Sequence, residues 1–133
     1  MNTKLIFDKL MELKENAYVP YSDFYVSAIV KSNGKYYYGV NIENSSYPVT
    51  LCAERSAIAA AISSGNRSID EVYLLTKSNG FGMPCGMCRQ FMSDFMKDDD
   101  QKIYVFNKFG QYKIYTIGEI LKNRFTHEDL INR

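Results

Sequence analysis

The chain has 133 residues, 16 Lys and Arg against 15 Asp and Glu, a formal net charge of +1 and three cysteines. That length suits a single domain, residues 1–133, with a core large enough to fold without disulfide staples. The basic residues are scattered rather than massed, which argues against a nucleic-acid partner, and no apolar run approaches a membrane span.

The opening stretch, MNTKLIFDKLMELKEN, mixes charges among its apolar residues and lacks the hydrophobic region and cleavage site of a signal peptide. A cytoplasmic, reducing location is therefore expected, where CxxC is more often metal-binding or catalytic than a disulfide. Within residues 3 to 15, Leu5, Ile6, Leu10, Met11 and Leu13 fall near helical spacing, predicting an amphipathic helix that ends near Asn16. VPYSD reads as a loop. Phe24 to Lys31 and YYYGVNI read as strands, and Asn33-Gly34 between them is a strong hairpin signal. LCAERSAIAAAISSG predicts a buried, alanine-rich helix stopped by Gly65. Beyond it the sequence predicts a strand over Glu71 to Thr76, a helix over Gly86 to Met96, short strands over Ile103 to Asn107 and Tyr112 to Thr116, and a helical turn over Ile117 to Leu121. Strands alternating with helices after a hairpin predict a mixed sheet covered on both faces.

The cysteines carry the chemistry. Cys52 is expected in the first turn of the alanine-rich helix, and Cys85 and Cys88 in the first turn of the next. Residues three apart share a helix face, so both thiols of PCGMC point at one ion, and helix N-termini favour thiolate over thiol. Three soft sulfur ligands suit zinc, and three rather than four suit a catalytic site, since structural zinc sites are closed. Glu54, two residues after Cys52, stands where a general base belongs.

Each feature alone has a plainer reading. A first-turn carboxylate ordinarily favours the helix dipole, and a lone CxxC admits structural zinc, a redox dithiol or chance. A structural zinc module would want a fourth ligand, for which His127 is the one conventional candidate; a thioredoxin-like protein would need neither Cys52 nor Glu54. Phe24, Tyr47 and Phe125 would ordinarily be packing aromatics.

LCAERSA followed by MPCGMCRQ resembles the zinc-dependent nucleoside deaminases, and specifically the small homotetrameric cytidine deaminases whose ligands are all cysteine. The wider signature, HxE followed by PCxxC, appears here as CxE. YVPYSDF, NIENSSYP and RFTHEDL extend the likeness over nearly the whole chain, while VSAIV and Met83 depart from the family's usual residues. The resemblance implies a three-layer α/β/α cytidine-deaminase-like fold with a mixed five-stranded sheet. It also implies one zinc per subunit on Cys52, Cys85 and Cys88, Glu54 as proton shuttle, and a homotetramer whose neighbouring subunits complete each pocket through Tyr47 and Phe125. Asn41 and Glu43 would hold the ribose hydroxyls, Phe24 would pack against the base, and the backbone at Ala53 would read its edge. Arg55 is expected to hydrogen-bond the thiolates and draw charge from them. The implied reaction is deamination of cytidine and deoxycytidine in pyrimidine salvage. A related enzyme acting on a modified cytosine nucleoside, such as a blasticidin-type antibiotic, would share the zinc motifs but not NIEN.

Overall fold

The computed structural model describes residues 1–131. Helix α1 spans Thr3–Leu13, its start capped by the Asn2 side chain, which accepts from the Leu5 N–H at 2.9 Å. Ile6 and Leu10, one turn apart, are its buried residues and anchor it to the sheet, each worth roughly 1.5–3 kcal/mol of apolar burial. A 3₁₀ turn, Lys14–Asn16, ends it near the expected place.

The hairpin forms as its turn residues require. Strand β1, Val26–Ser32, and strand β2, Lys35–Val40, pair antiparallel, with Ser32 opposite Lys35. Asn33 and Gly34 between them take positive φ values of 51° and 76°, the left-handed pair a two-residue hairpin turn needs. Phe24 lies before β1 rather than in it, and Asn41 and Glu43 lie beyond β2. There Ile42 makes isolated bridges to Tyr18 and Leu51, so the chain is extended but outside the main ladder.

Helix α2, Ala53–Ser63, starts two residues later than LCAERSA suggested, because Leu51 is held in the bridge to Ile42. Gly65 closes the helix at φ 100°. Strand β3 is Glu71–Thr76, and helix α3 is Gly86–Ser93, three residues shorter than expected. The chain turns away after Ser93, and the Phe95 carbonyl accepts from the Ile69 N–H at 2.8 Å, at the approach to β3. Strands β4, Lys102–Phe106, and β5, Tyr112–Thr116, follow, then helix α4, Ile117–Ile120, with a capping box between Thr116 and Glu119. A short helix α5, His127–Ile131, was not legible from apolar periodicity; its signal is Thr126, whose N–H and hydroxyl both bond Asp129 three residues on.

The five strands lie in the order β2-β1-β3-β4-β5. Only β3 and β4 are parallel, so the sheet is mixed. Alternate side chains sort into two cores. Ala28, Val30, Val72, Leu74, Ile103 and Val105 pack with α2 and α3 on one face, while Ile29, Tyr73, Leu75 and Phe106 pack with α1 on the other. Helices therefore cover both faces, the three-layer arrangement expected. The α2 face is unusually close: a Cβ at Gly39 of β2 would stand 2.3 Å from the Ala57 nitrogen and 2.6 Å from the Ala53 carbonyl oxygen. Small residues Ala53, Ala57 and Ala61 let the helix backbone settle there, and that contact fixes where the start of α2 lies.

Candidate active site and metal centre

The starts of α2 and α3 converge. Cys52 and Cys85 are the N-caps of these helices rather than first-turn residues, each with extended backbone, while Cys88 lies inside α3 and is buried. The three Sγ atoms all lie within 4.8 Å of one another, and those of Cys85 and Cys88 are 3.4 Å apart. Thiolates tetrahedral about zinc, with Zn–S bonds near 2.3 Å, stand roughly 3.8 Å apart, so the donor set fits that ion in both chemistry and spacing. His127 lines a separate groove with Phe125 and Gln90 and does not join the cluster.

The electrostatics are unequal. The Cys52 thiol is drawn down to about 5, first by the hydrogen bond from Cys88 and then, against its burial, by the Arg55 guanidinium. The Cys88 thiol is held well above its ordinary range by donating to Cys52 and by burial. One charge therefore settles on Cys52. Arg55 Nη2 donates to the Cys52 sulfur at 3.6 Å and to the Thr50 carbonyl at 3.1 Å, and the sulfur in turn raises the Arg55 pKa. Arg55 Nε is buried with no partner among the described residues. Glu54 is 4% exposed. Burial pushes its carboxyl up to about 7, with the Cys52 charge adding to the shift.

Beside the sulfurs lies a pocket of about 210 Å³ whose wall includes Phe24, Asn41, Cys52, Ala53, Glu54 and Cys85, with Val26, Leu74, Thr76 and Met83 supplying the rest alongside Thr50. A second pocket of about 310 Å³, lined by Tyr21, Ser22, Glu43, Tyr47 and Thr50, adjoins it through the shared Thr50. Asn41 and Glu43 are both at the cleft, but their side chains already hold the loop before β1. The Asn41 amide accepts from the Val26 N–H at 3.0 Å and donates to the Phe24 carbonyl at 2.8 Å. The Glu43 carboxylate accepts from the N–H groups of Tyr21 and Ser22 at 3.0 and 3.1 Å and from the Ser22 hydroxyl. The Ser22 hydroxyl holds the Glu43 carboxyl below its usual range. Tyr47 is 68% exposed and Phe125 57% exposed, and Phe125 lies outside both pockets of its own chain.

Residues unremarked in the sequence complete the site. Thr50 joins the two pockets, Ser22 lines the second, and Thr76 forms part of the wall of the first. Arg89, next to the second ligand of PCGMC, donates through Nε to the Pro84 carbonyl at 2.8 Å and through Nη1 to the Ile120 carbonyl at 2.9 Å, tying the ligand loop to α4. Its position after Cys88 was the available signal.

Residues 1–105 match the family model described as the cytidine and deoxycytidylate deaminase zinc-binding region. A cytidine deaminase of Mycoplasma genitalium is 42% identical over 94% of this chain and 96% of the relative, and one of Mycoplasma pneumoniae is 46% identical over 90% and 91%. The crystal structure of cytidine deaminase from Burkholderia pseudomallei superimposes with a TM-score of 0.88 at 32% identity, covering 94% of this chain and 100% of that one. The paired helix starts, the sulfur cluster they form and the buried glutamate beside it are thus those of a chain that belongs to the cytidine and deoxycytidylate deaminase zinc-binding family.

Proposed function

We propose that this protein is a zinc-dependent cytidine deaminase that hydrolyses cytidine and deoxycytidine to uridine and deoxyuridine with release of ammonia. The observation that carries the reading is the buried Glu54 carboxylate in the same pocket as Cys52 and Cys85, two members of the three-cysteine cluster. Cys52, Cys85 and Cys88 hold one zinc per subunit, which when bound acidifies a water in this pocket.

Glu54 removes a proton from the attacking water and places it on N3 of the base as the new C–O bond forms at C4. The carboxylate, regenerated by that transfer, then takes the proton of the new C4 hydroxyl and delivers it to the C4 amino group as the C4 carbonyl forms. The C4–N bond breaks and ammonia leaves. Burial suits Glu54 to this cycle, because a carboxyl lifted from its ordinary range accepts and donates protons readily near neutrality. Cys52 makes no side-chain cap on α2, so the first N–H groups of that helix, from Ala53 onward, remain available to the carbonyl edge of the base. Phe24 covers the ring, and Asn41 and Glu43 meet the ribose hydroxyls.

A nucleoside fits better than a nucleotide. No Lys, Arg or His lines either pocket among the described residues, and Glu43 holds a carboxylate where a 5′-phosphate would bring further negative charge. The exposed Tyr47 and Phe125 support a homotetramer in which neighbouring chains close each pocket. Scattered charge and the lack of a helix long and apolar enough to cross a membrane, among the described residues, support a cytoplasmic enzyme.

Following the ultraviolet absorbance of cytidine, deoxycytidine and deoxycytidylate with wild type and Glu54→Gln tests the reading. The two nucleosides are expected to turn over with wild type, and the variant is expected to keep zinc and bind uridine while losing about 10²-fold or more in kcat. Conversion of deoxycytidylate in preference to cytidine, or an active Glu54→Gln, would overturn it.

A further inference from the structure

Thr76 is the last residue of β3, on the same strand face as Val72 and Leu74, where α2 and α3 pack. It is 5% exposed, and its Oγ1 is buried with no hydrogen-bond partner among the described residues. This hydroxyl ties Thr76 to no neighbouring protein group, and its burial without a partner is unfavourable. What position 76 contributes is therefore shape.

That shape is met by a glycine. A Cβ at Gly82 would lie 2.7 Å from both Cγ2 and Oγ1 of Thr76 and 3.1 Å from its Cβ. Thr76 has little room to yield, because β-branching stiffens its side chain and pairing with Val26 of β1 fixes its backbone. Any side chain at position 82 must instead push its own segment outward. Met83, Pro84 and Cys85 come next, and Met83 and Cys85 both line the pocket that contains Glu54. Pro84 is rigid, and Arg89 Nε donates to its carbonyl at 2.8 Å, so a displacement at Gly82 has little slack in which to dissipate before it reaches Cys85.

We propose that Thr76 and Gly82 form a size-matched pair that sets the path of the chain into Cys85, making Thr76 a positioning residue for the metal site through its volume and not through its hydroxyl. The inference rests on the reading of Cys52, Cys85 and Cys88 as zinc ligands in a cytidine deaminase.

Four variants test it: Gly82→Ala, Thr76→Ala, the double variant, and Thr76→Val, each measured for zinc affinity by competition with a chromophoric chelator and for kcat and KM with cytidine. Gly82→Ala is expected to lose about tenfold in zinc affinity, with kcat/KM falling alongside. The double variant is expected to recover most of both, because removing Cγ2 and Oγ1 takes away the two closest contacts, and the 3.1 Å contact to Cβ is relieved by a shift of a few tenths of an ångström. Thr76→Ala alone is expected to lose zinc affinity by a smaller factor, and Thr76→Val, which keeps the volume, to match wild type in zinc affinity. A double variant no better than Gly82→Ala, or a Gly82→Ala protein equal to wild type, overturns the pairing. A Thr76→Val protein that loses zinc affinity as far as Thr76→Ala does overturns the assignment to shape. Should Gly82→Ala fail to fold, recovery of folded, zinc-binding protein in the double variant supports the pairing and its absence there overturns it. Wild type inactive on cytidine would refute the proposed reaction, while the pattern of zinc affinities would still judge the pair.

Discussion

Gly39→Ala adds one methyl group to a strand and is expected to damage the active site from behind. Gly39 does not occupy the left-handed region, so alanine meets no backbone penalty there and the effect is purely one of contact. Its Cβ would stand 2.3 Å from the Ala57 nitrogen, 2.6 Å from the Ala53 oxygen and 2.9 Å from the Ala57 Cα, where ordinary contact begins at 3.4 Å. All three are backbone atoms of α2, so no rotamer change relieves the overlap, and the helix must retreat from β2 by about 1 Å. Overpacking of this kind costs roughly 1–3 kcal/mol, which for a chain of this size lowers Tm by about 4–12 °C. The kinetic effect is larger, because the first turn of α2 carries Glu54 and adjoins Cys52. A displacement of about 1 Å in a catalytic group costs on the order of 10²-fold in rate. Calorimetry of the zinc-loaded protein and kcat/KM for cytidine read the two consequences separately. A variant whose Tm lies within about 2 °C of wild type, with unchanged kcat/KM, would refute the claim that backbone contact at Gly39 sets the site.

Arg55→Ala removes the donor to the Cys52 sulfur and the Thr50 carbonyl, and zinc affinity is expected to fall about 10-fold with a parallel fall in kcat; a variant that kept both at wild-type values would remove the reason for assigning Arg55 to the thiolates. Glu43→Gln weakens the tie to Tyr21 and Ser22, so KM for cytidine is expected to rise severalfold with kcat and zinc content little changed, and a loss confined to kcat would contradict that. Because the Glu43 carboxyl is held below its usual range, the loop tie it makes is intact above the ordinary carboxylate pKa of about 4.3 and is lost as pH falls through the lowered value, which amide exchange at Tyr21 and Ser22 reads directly.

The parts of this site that the sequence showed are those set by short-range geometry. Asn33-Gly34 dictates its turn whatever packs around it, and PCGMC places two sulfurs within reach of one another through a single helical turn. The joint presence of CAE and PCxxC then pointed to Cys52 and Glu54, which the structure brings to the same pocket as Cys85. What the sequence did not show depends on elements meeting across the fold. The α2 start shifted because Leu51 bridges to Ile42, a pairing with no local signature. Asn41 and Glu43 were expected only to meet the ribose hydroxyls, yet the side chains of both also hold backbone groups of the loop before β1. Gly39, Gly82 and Thr76 acquire meaning only from what stands opposite them.

The helix caps show how the fold keeps this site chemically open. Helices α1 and α4 are capped by Asn2 and Thr116 side chains, an arrangement worth about 1 kcal/mol each. Helices α2 and α3 begin with Cys52 and Cys85, and neither side chain makes a capping hydrogen bond. The two helices that meet at the pocket therefore forgo the stabilisation that the two remote ones enjoy. Serine or aspartate at either position would cap the helix better but would direct its oxygen back onto the first-turn N–H groups. Cysteine leaves those N–H groups free to face the pocket. Both N-caps have extended backbone, and the two helix starts bring their sulfurs together with that of Cys88. The local cost in helix stability is on the order of 2 kcal/mol for the pair of caps, and a structural contribution from bound zinc exceeds it several times over. The choice of cysteine at both N-caps thus makes the stability of the two helix starts depend on the metal they hold.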